Sequence, residues 1–250
     1  MYVARESGLH NLHPLTKSFL ALCLLFVGFL LPGNWTSYFI TLGIILPLAI
    51  WGKIFRNLII TSWRFSWPIA LSILLIQTIF WGKGTPIFEI WTIAPKREGL
   101  IFALESIGRL FLTLTDFILF AMITRPDSLM ISLKQSGMPS SIAYIVVTTL
   151  QIIPSFQRKA LTILDAQRSR GLETEGNLIV RMRAFVPIVM PLVLGSLVDV
   201  EERAIAIQAR AFNSDRTETS LVEIKDTANQ IVIRRLLILI TILSIVARFL

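Results

Sequence analysis

Residues 18–52 read SFLALCLLFVGFLLPGNWTSYFITLGIILPLAIWG, a run without one charged side chain. Pro32, Gly33 and Asn34 break it near the middle, because proline and glycine end helices and mark turns. The pattern predicts a tight hairpin of two apolar helices, about 15–31 and 35–51. Each arm is near the roughly 17–25 residues that cross a hydrocarbon core. Trp35 and Trp51 stand at the two ends of the second arm, where interfacial aromatics sit. Lys53, Arg56 and Arg64 follow, which places 52–64 and the N-terminus on the inner side.

The rest of the chain extends this reading. It is 54% hydrophobic and 16% charged, with mean hydropathy +0.70, whereas a soluble domain carries about 25% charge. The expectation is an all-α integral membrane protein. A third span is expected at about 65–81 and a fourth at about 100–123. The Gly/Pro-bearing stretch GKGTPIFEIWTIAPKREG (82–99) would be the outer loop between them. The last segment, about 231–250, holds twelve uncharged residues between Arg235 and Arg248. At 1.5 Å per residue these cover only about 18 Å, so spanning needs both arginines to extend their stems toward the interfaces. That makes five spans, with the N-terminus inside and the C-terminus outside. The fourth span contains Glu105, Arg109 and Asp116. Charges at membrane depth are costly, but Glu105 and Arg109 are four apart on one helical face and are expected to pair.

A net charge of +8 invites a nucleic-acid reading. The distribution argues for the positive-inside bias instead. On this topology nineteen of the 24 basic residues lie in cytoplasmic segments and three in the outer loop. Cys23 is the single cysteine, so no disulfide can form within the chain. His10 and His13 are the only histidines, with no third ligand nearby for a metal. The first apolar run leads into a second span without a small-residue cleavage site, so it reads as a retained helix and not as a signal peptide.

From Arg125 to Arg235 the character changes: fourteen basic residues are interleaved with apolar stretches. Two of these, about 141–157 and 184–198, are short and interrupted by Pro154, Pro187 and Pro191. They are expected to form a shallow hairpin, or to be buried against the other helices. Residues 158–176 and 197–213 carry amphipathic helical stripes, Ala160, Leu161 and Leu164 in one, Leu197, Val200, Ala204 and Ile207 in the other. Both end alike. Shifted by forty positions, Ala166 falls on Ala206, Ser169 on Ala209, Arg170 on Arg210, Gly171 on Ala211 and Leu172 on Phe212; Gln167 precedes the first of these endings. One such arginine could simply serve its own helix dipole. Two, flanked by small residues that leave the guanidinium unshielded, suggest two equivalent receptors offering a carboxylate to a planar fork.

With these residues in view, the chain resembles the transmembrane T component of energy-coupling factor (ECF) transporters, ABC-type importers of vitamins and transition-metal ions. LHNLHPLTK (9–17) resembles the family's Leu-x-x-Leu-Asp-Pro-x-Thr-Lys opening, with His13 in place of the commoner aspartate. TRPDSLMISLKQSGMPSSIAYIVVTTLQIIP (124–154) resembles its central loop and helix, with Gln151 where arginine is frequent. DAQRSRG (165–171) and VPIVMPLVLGSLVDVEERAIAIQARAF (186–212) resemble its two coupling segments, each ending in Ala-Arg-Gly in the family; the second glycine is absent here.

The resemblance implies an organisation: four spans in 1–124, a cytoplasmic coupling domain in 125–230 with coupling helices at about 158–172 and 197–213, and a C-terminal span in 231–250. It implies that Arg170 and Arg210, with Ser169, Gly171, Ala209 and Ala211 beside them, dock on two ABC-type ATPases, identical or paired homologues. Ala166, Gln167, Leu172 and Phe212 would support them. A separate substrate-binding S component would pack on the membrane face, in the plasma (inner) membrane of a prokaryote. The chain itself would bind no cofactor, ATP and Mg being held by the ATPases, and no nucleic acid. Consistently, it has no G-x-x-x-x-G-K-[ST] loop. Two other readings compete. A self-sufficient transporter using Glu105, Arg109 and Asp116 would be expected to show paired structural repeats in its spans, and none is found. A membrane enzyme would need an acid–base constellation such as H-E-x-x-H or G-x-S-x-G, which is absent.

Overall fold

The computed structural model describes residues 8–10, 12–31, 35–80, 97–210, 224 and 226–249, and every regular element among them is a helix. They divide between two compact units, Met1–Ser132 with Ile224–Leu250, and Leu133–Glu223.

The first unit opens with α1 (Pro14–Leu30). His13 is its N-cap: Leu15 N–H donates to the His13 Nδ1 at 3.3 Å, and Pro14 occupies the first turn, where no N–H is missed. The second arm of the hairpin comprises α2 (Thr36–Ile40), a π turn (Thr41–Ile45) and α3 (Leu46–Trp51). The widening lies just before Pro47, whose ring would strike the carbonyl four residues back and which has no N–H to offer. A turn follows, with Lys53 in the left-handed region at φ 56°, and α4 (Phe55–Phe80) begins at once. The third helix therefore starts ten residues before the expected span at 65–81. Hydropathy marks where lipid contact is favoured, whereas nothing between Phe55 and Phe80 stops a helix, Pro68 included.

The centre of this unit is α5 (Arg97–Ile123), against which α1, α2 and α4 pack, with α9 (Ala228–Phe249) lying on α1. Leu24, Ile45, Leu58, Leu112 and Leu119 are among its buried core residues. Two glycines let helices approach closely. A Cβ on Gly28 would sit 2.9 Å from Leu112 Cδ1, and one on Gly108 would sit 2.5 Å from Tyr38 Cε2. Small residues at helix contacts are how apolar helices pack without water to drive them together. The Tyr38 hydroxyl then donates to the Leu104 carbonyl at 2.8 Å. A short helix, α6 (Pro126–Gln135), follows α5.

The second unit is built on α7 (Ser140–Ser169) and α8 (Leu178–Ala209), which pack on each other. The apolar stretches expected as a hairpin, about 141–157 and 184–198, lie within these two helices, and the expected interruptions at their prolines are not seen. α7 runs unbroken through Pro154, and α8 through Pro187 and Pro191. The expected helices at 158–172 and 197–213 are thus the C-terminal halves of longer rods. Within 184–198, Ala184 is buried while Phe185, Met190 and Leu194 are exposed.

Among the described residues four helices are long and apolar enough to cross a membrane: α4, α5, α8 and α9. The segments 14–30 and 36–51 are shorter and equally apolar. The chain is an all-α membrane protein. The five expected spans correspond to α1, α2–α3, α4, α5 and α9, and α8 is an additional helix of spanning length.

Candidate functional site

The end of α7 is a Schellman motif. Gly171 N–H donates to the Arg168 carbonyl at 2.9 Å and Leu172 N–H to that of Gln167 at 3.0 Å. This arrangement needs a left-handed residue after the cap, and Gly171 supplies it at φ +88°. Arg170, the cap itself, has φ −89° and ψ 6°. Arg168 is held to the turn beyond the helix, its Nε donating to Thr174 Oγ1 at 3.0 Å. Arg170 has no such tether.

α8 ends in the same way as far as it is described. Arg210 is its cap residue, with φ −88° and ψ 11°, so the two arginines share one backbone conformation. Ala211 and Phe212 lie outside the described residues. Ala166, Ser169, Arg170, Gly171, Ala209 and Arg210 are exposed, while Gln167 and Leu172 are partly covered. Among the described residues, neither Arg170 nor Arg210 has an ion pair or a side-chain hydrogen bond. An exposed guanidinium beside a helix end, with no partner among the described residues, is available for bidentate capture of a carboxylate.

Behind these tips the two helices pack on each other. A cleft of about 360 Å³ is lined by Ser155, Arg158 and Thr162 of α7 and by Pro191, Leu192 and Gly195 of α8. A second, of about 170 Å³, is lined by Ile152, Phe156 and Lys159 with Ser196, Asp199 and Arg203. Between them the Lys159 ammonium pairs with the Asp199 carboxylate. This contact joins residues forty positions apart, and no sequence motif singles out either of them.

The intramembrane pair expected on α5 is not formed. Glu105 is half-buried, Arg109 is exposed, and among the described residues no ion pair joins them. Sharing a helical face brings side chains within reach but does not oblige them to meet. Tyr38 packs on Gly108 between the two, and Asp116 is buried separately, one carboxyl oxygen lacking a hydrogen-bond partner. No group of three His, Cys, Asp or Glu able to hold a metal occurs among the described residues, and Cys23 is buried.

Four residues of the opening motif have structural roles. Leu9 is in the core, His13 caps α1, and the His13 amide and Thr16 hydroxyl donate to Gln230 Oε1 of the α9 start. Lys17 is buried and donates to the carbonyls of His10 at 2.8 Å and Ile123 at 3.0 Å, tying the N-terminal turn to the end of α5. Burial holds the His13 imidazole below its usual pKa; Asp226 opposes the shift, while Arg234 and Lys17 reinforce it.

The sequence profile of the CbiQ family, described as cobalt transport protein, matches residues 5–221. The chain is 28% identical over 232 residues to the energy-coupling factor transporter transmembrane protein EcfT of Acidaminococcus fermentans, covering 89% of this chain and 86% of that one. It is 24% identical over 259 residues to EcfT of Thermosediminibacter oceani, covering 99% and 96%. Against EcfT of Ruminiclostridium cellulolyticum the identity is 27% over 237 residues, covering 90% and 87%. A match over most of the chain, on an all-helical membrane fold, places this protein in the CbiQ family, the transmembrane T components of energy-coupling factor transporters.

Proposed function

We propose that this transmembrane component couples two ABC-type ATPases to a separate substrate-binding S component, for uptake of a vitamin or a transition-metal ion. Arg170 and Arg210 each enter a groove on one ATPase and pair with an acidic residue there. Ser169, Gly171, Ala209 and Ala211 let the groove close on the backbone, and Ala166, Gln167, Leu172 and Phe212 complete the contact. The observation that carries the reading is the pair of exposed arginines, without a side-chain partner among the described residues, in one backbone conformation at the ends of two long helices.

ATP binding draws the ATPases together and moves α7 and α8 against each other, and the S component, packed on the apolar surface, tilts in response. The chain binds no cofactor of its own; ATP and Mg belong to the ATPases. The S component sets the substrate. The protein resides in the plasma membrane of a prokaryote, with its N-terminus and the arginine tips in the cytoplasm.

The test is affinity purification of the tagged chain from native membranes in mild detergent. ABC-type ATPases and a small hydrophobic partner are expected to accompany it. The Arg170→Ala/Arg210→Ala variant is expected to insert normally and lose the ATPases. Losing a charge-assisted pair in a desolvated groove costs about 2–5 kcal/mol. That corresponds to a fall in affinity of roughly 30- to 4,000-fold per arginine. Wild-type levels of ATPase on the double variant, with uptake intact, would overturn the proposal.

A further inference from the structure

We propose that Lys159 and Asp199 form the fulcrum on which α7 and α8 cross, fixing both arginine tips at equal reach; the inference rests on the coupling role above. The forty-residue offset that superposes Arg170 on Arg210 also superposes Lys159 on Asp199. The ion pair therefore joins equivalent points of the two helices. Eleven residues separate each from its arginine, so each arm extends about 16 Å at 1.5 Å per residue.

The crossing lies at this pair. Ser155 and Lys159 line both clefts, whereas the α8 residues change from Pro191, Leu192 and Gly195 on one side to Ser196, Asp199 and Arg203 on the other. Backbone packing does not hold the register here, since a Cβ built on Gly195 would meet nothing within 4 Å. The charges do. Slide α8 by one turn in one direction and Lys159 faces Arg203, a like charge; slide it in the other and Lys159 faces Gly195, which offers nothing. The two side chains are 43% and 41% exposed. An ion pair that exposed adds little to stability. Its contribution is to select one alignment among several of similar packing, so that motion of either ATPase reaches both arms about one point.

Arg158 and Arg203 line the same clefts and can replace a deleted Lys159, so charge reversal is the informative change. Spin labels at Asp165→Cys and Ile205→Cys, equivalent exposed sites on the two arms, would report the crossing in the full chain in lipid nanodiscs, with Cys23→Ala removing the native thiol. A single narrow distance is expected for the parent and for Lys159→Arg. Lys159→Asp or Asp199→Lys should broaden or shift it, and the swapped Lys159→Asp/Asp199→Lys chain should restore it. In complexes assembled with ATPases and S component, both single reversals should keep the ATPases bound. Uptake should fall about fivefold, the factor matching a pair of this exposure, and recover in the swap. An unchanged distance in both single reversals, or a folded swap that does not recover it, overturns the fulcrum. The coupling role fails separately, if the alanine variants at Arg170 and Arg210 keep their ATPases.

Discussion

Gly171 shows how one missing side chain sets the end of a long helix. Its left-handed backbone places the two amides that close α7, and an alanine there would meet its own backbone, not a neighbour. Gly171→Ala should therefore cost about 1 kcal/mol, confined to the last turn. Amide exchange at Gln167–Ser169 should quicken while the middle of α7 is unaffected. His13 is a second such residue. Its Nδ1 must stay unprotonated to accept from Leu15, and burial already disfavours the cation. The unfolded chain, whose imidazole titrates near 6.5, then binds the proton more readily than the folded one. The contribution of His13 to stability is complete above about pH 6.5 and is lost as the pH falls below it. Thermal unfolding in detergent should show this decline, and His13→Asn, which keeps a capping oxygen, should remove it. The arginine-glycine stop was legible in sequence because both its chemistry and its geometry are local. The capping role of His13 was not read, since histidine lacks the reputation of aspartate at that position although it offers an acceptor in the same place.

At the level of helices, sequence reading succeeded where a breaker truly breaks. The arms of the expected hairpin, 14–30 and 36–51, lie within a residue of the expected 15–31 and 35–51, and the breakers Pro32 and Gly33 between them lie outside the described residues. Pro154, Pro187 and Pro191 misled because a proline removes only one backbone hydrogen bond, and helices of 30 and 32 residues keep the rest. The start of α4 was missed for the opposite reason: its first turns are polar, yet nothing in them stops a helix. Glycines inside helices were silent in sequence and decisive in packing. Gly108→Val would drive two methyls into the Tyr38 ring, which already lies within 3 Å of a Cβ at that position. Overpacking of this kind costs about 1–3 kcal/mol. The variant should unfold several degrees lower, and Tyr38→Ala in the same chain should recover part of the loss.

For the molecule as a whole, composition alone identified the solvent as lipid, and the forty-residue repeat located the two tips. The ion pair behind them was beyond sequence, because Lys159 and Asp199 meet only once two separate helices are laid together. The same holds for Lys17, whose partners at His10 and Ile123 are set by the bundle. One further property belongs to this scale. α8 has the hydropathy of a spanning helix and almost none of it is covered by the rest of the described chain. Contiguous apolar surface of that extent, which α9 shares, is covered either by lipid or by a partner, and without a cover it is an aggregation liability. Pulse-chase of the chain made by itself should show rapid turnover, and co-expression with its ATPases and S component should lengthen its life several-fold. The bare face of α8 would then act as a stoichiometry gauge, permitting only as much of this subunit to persist as there are partners to cover it.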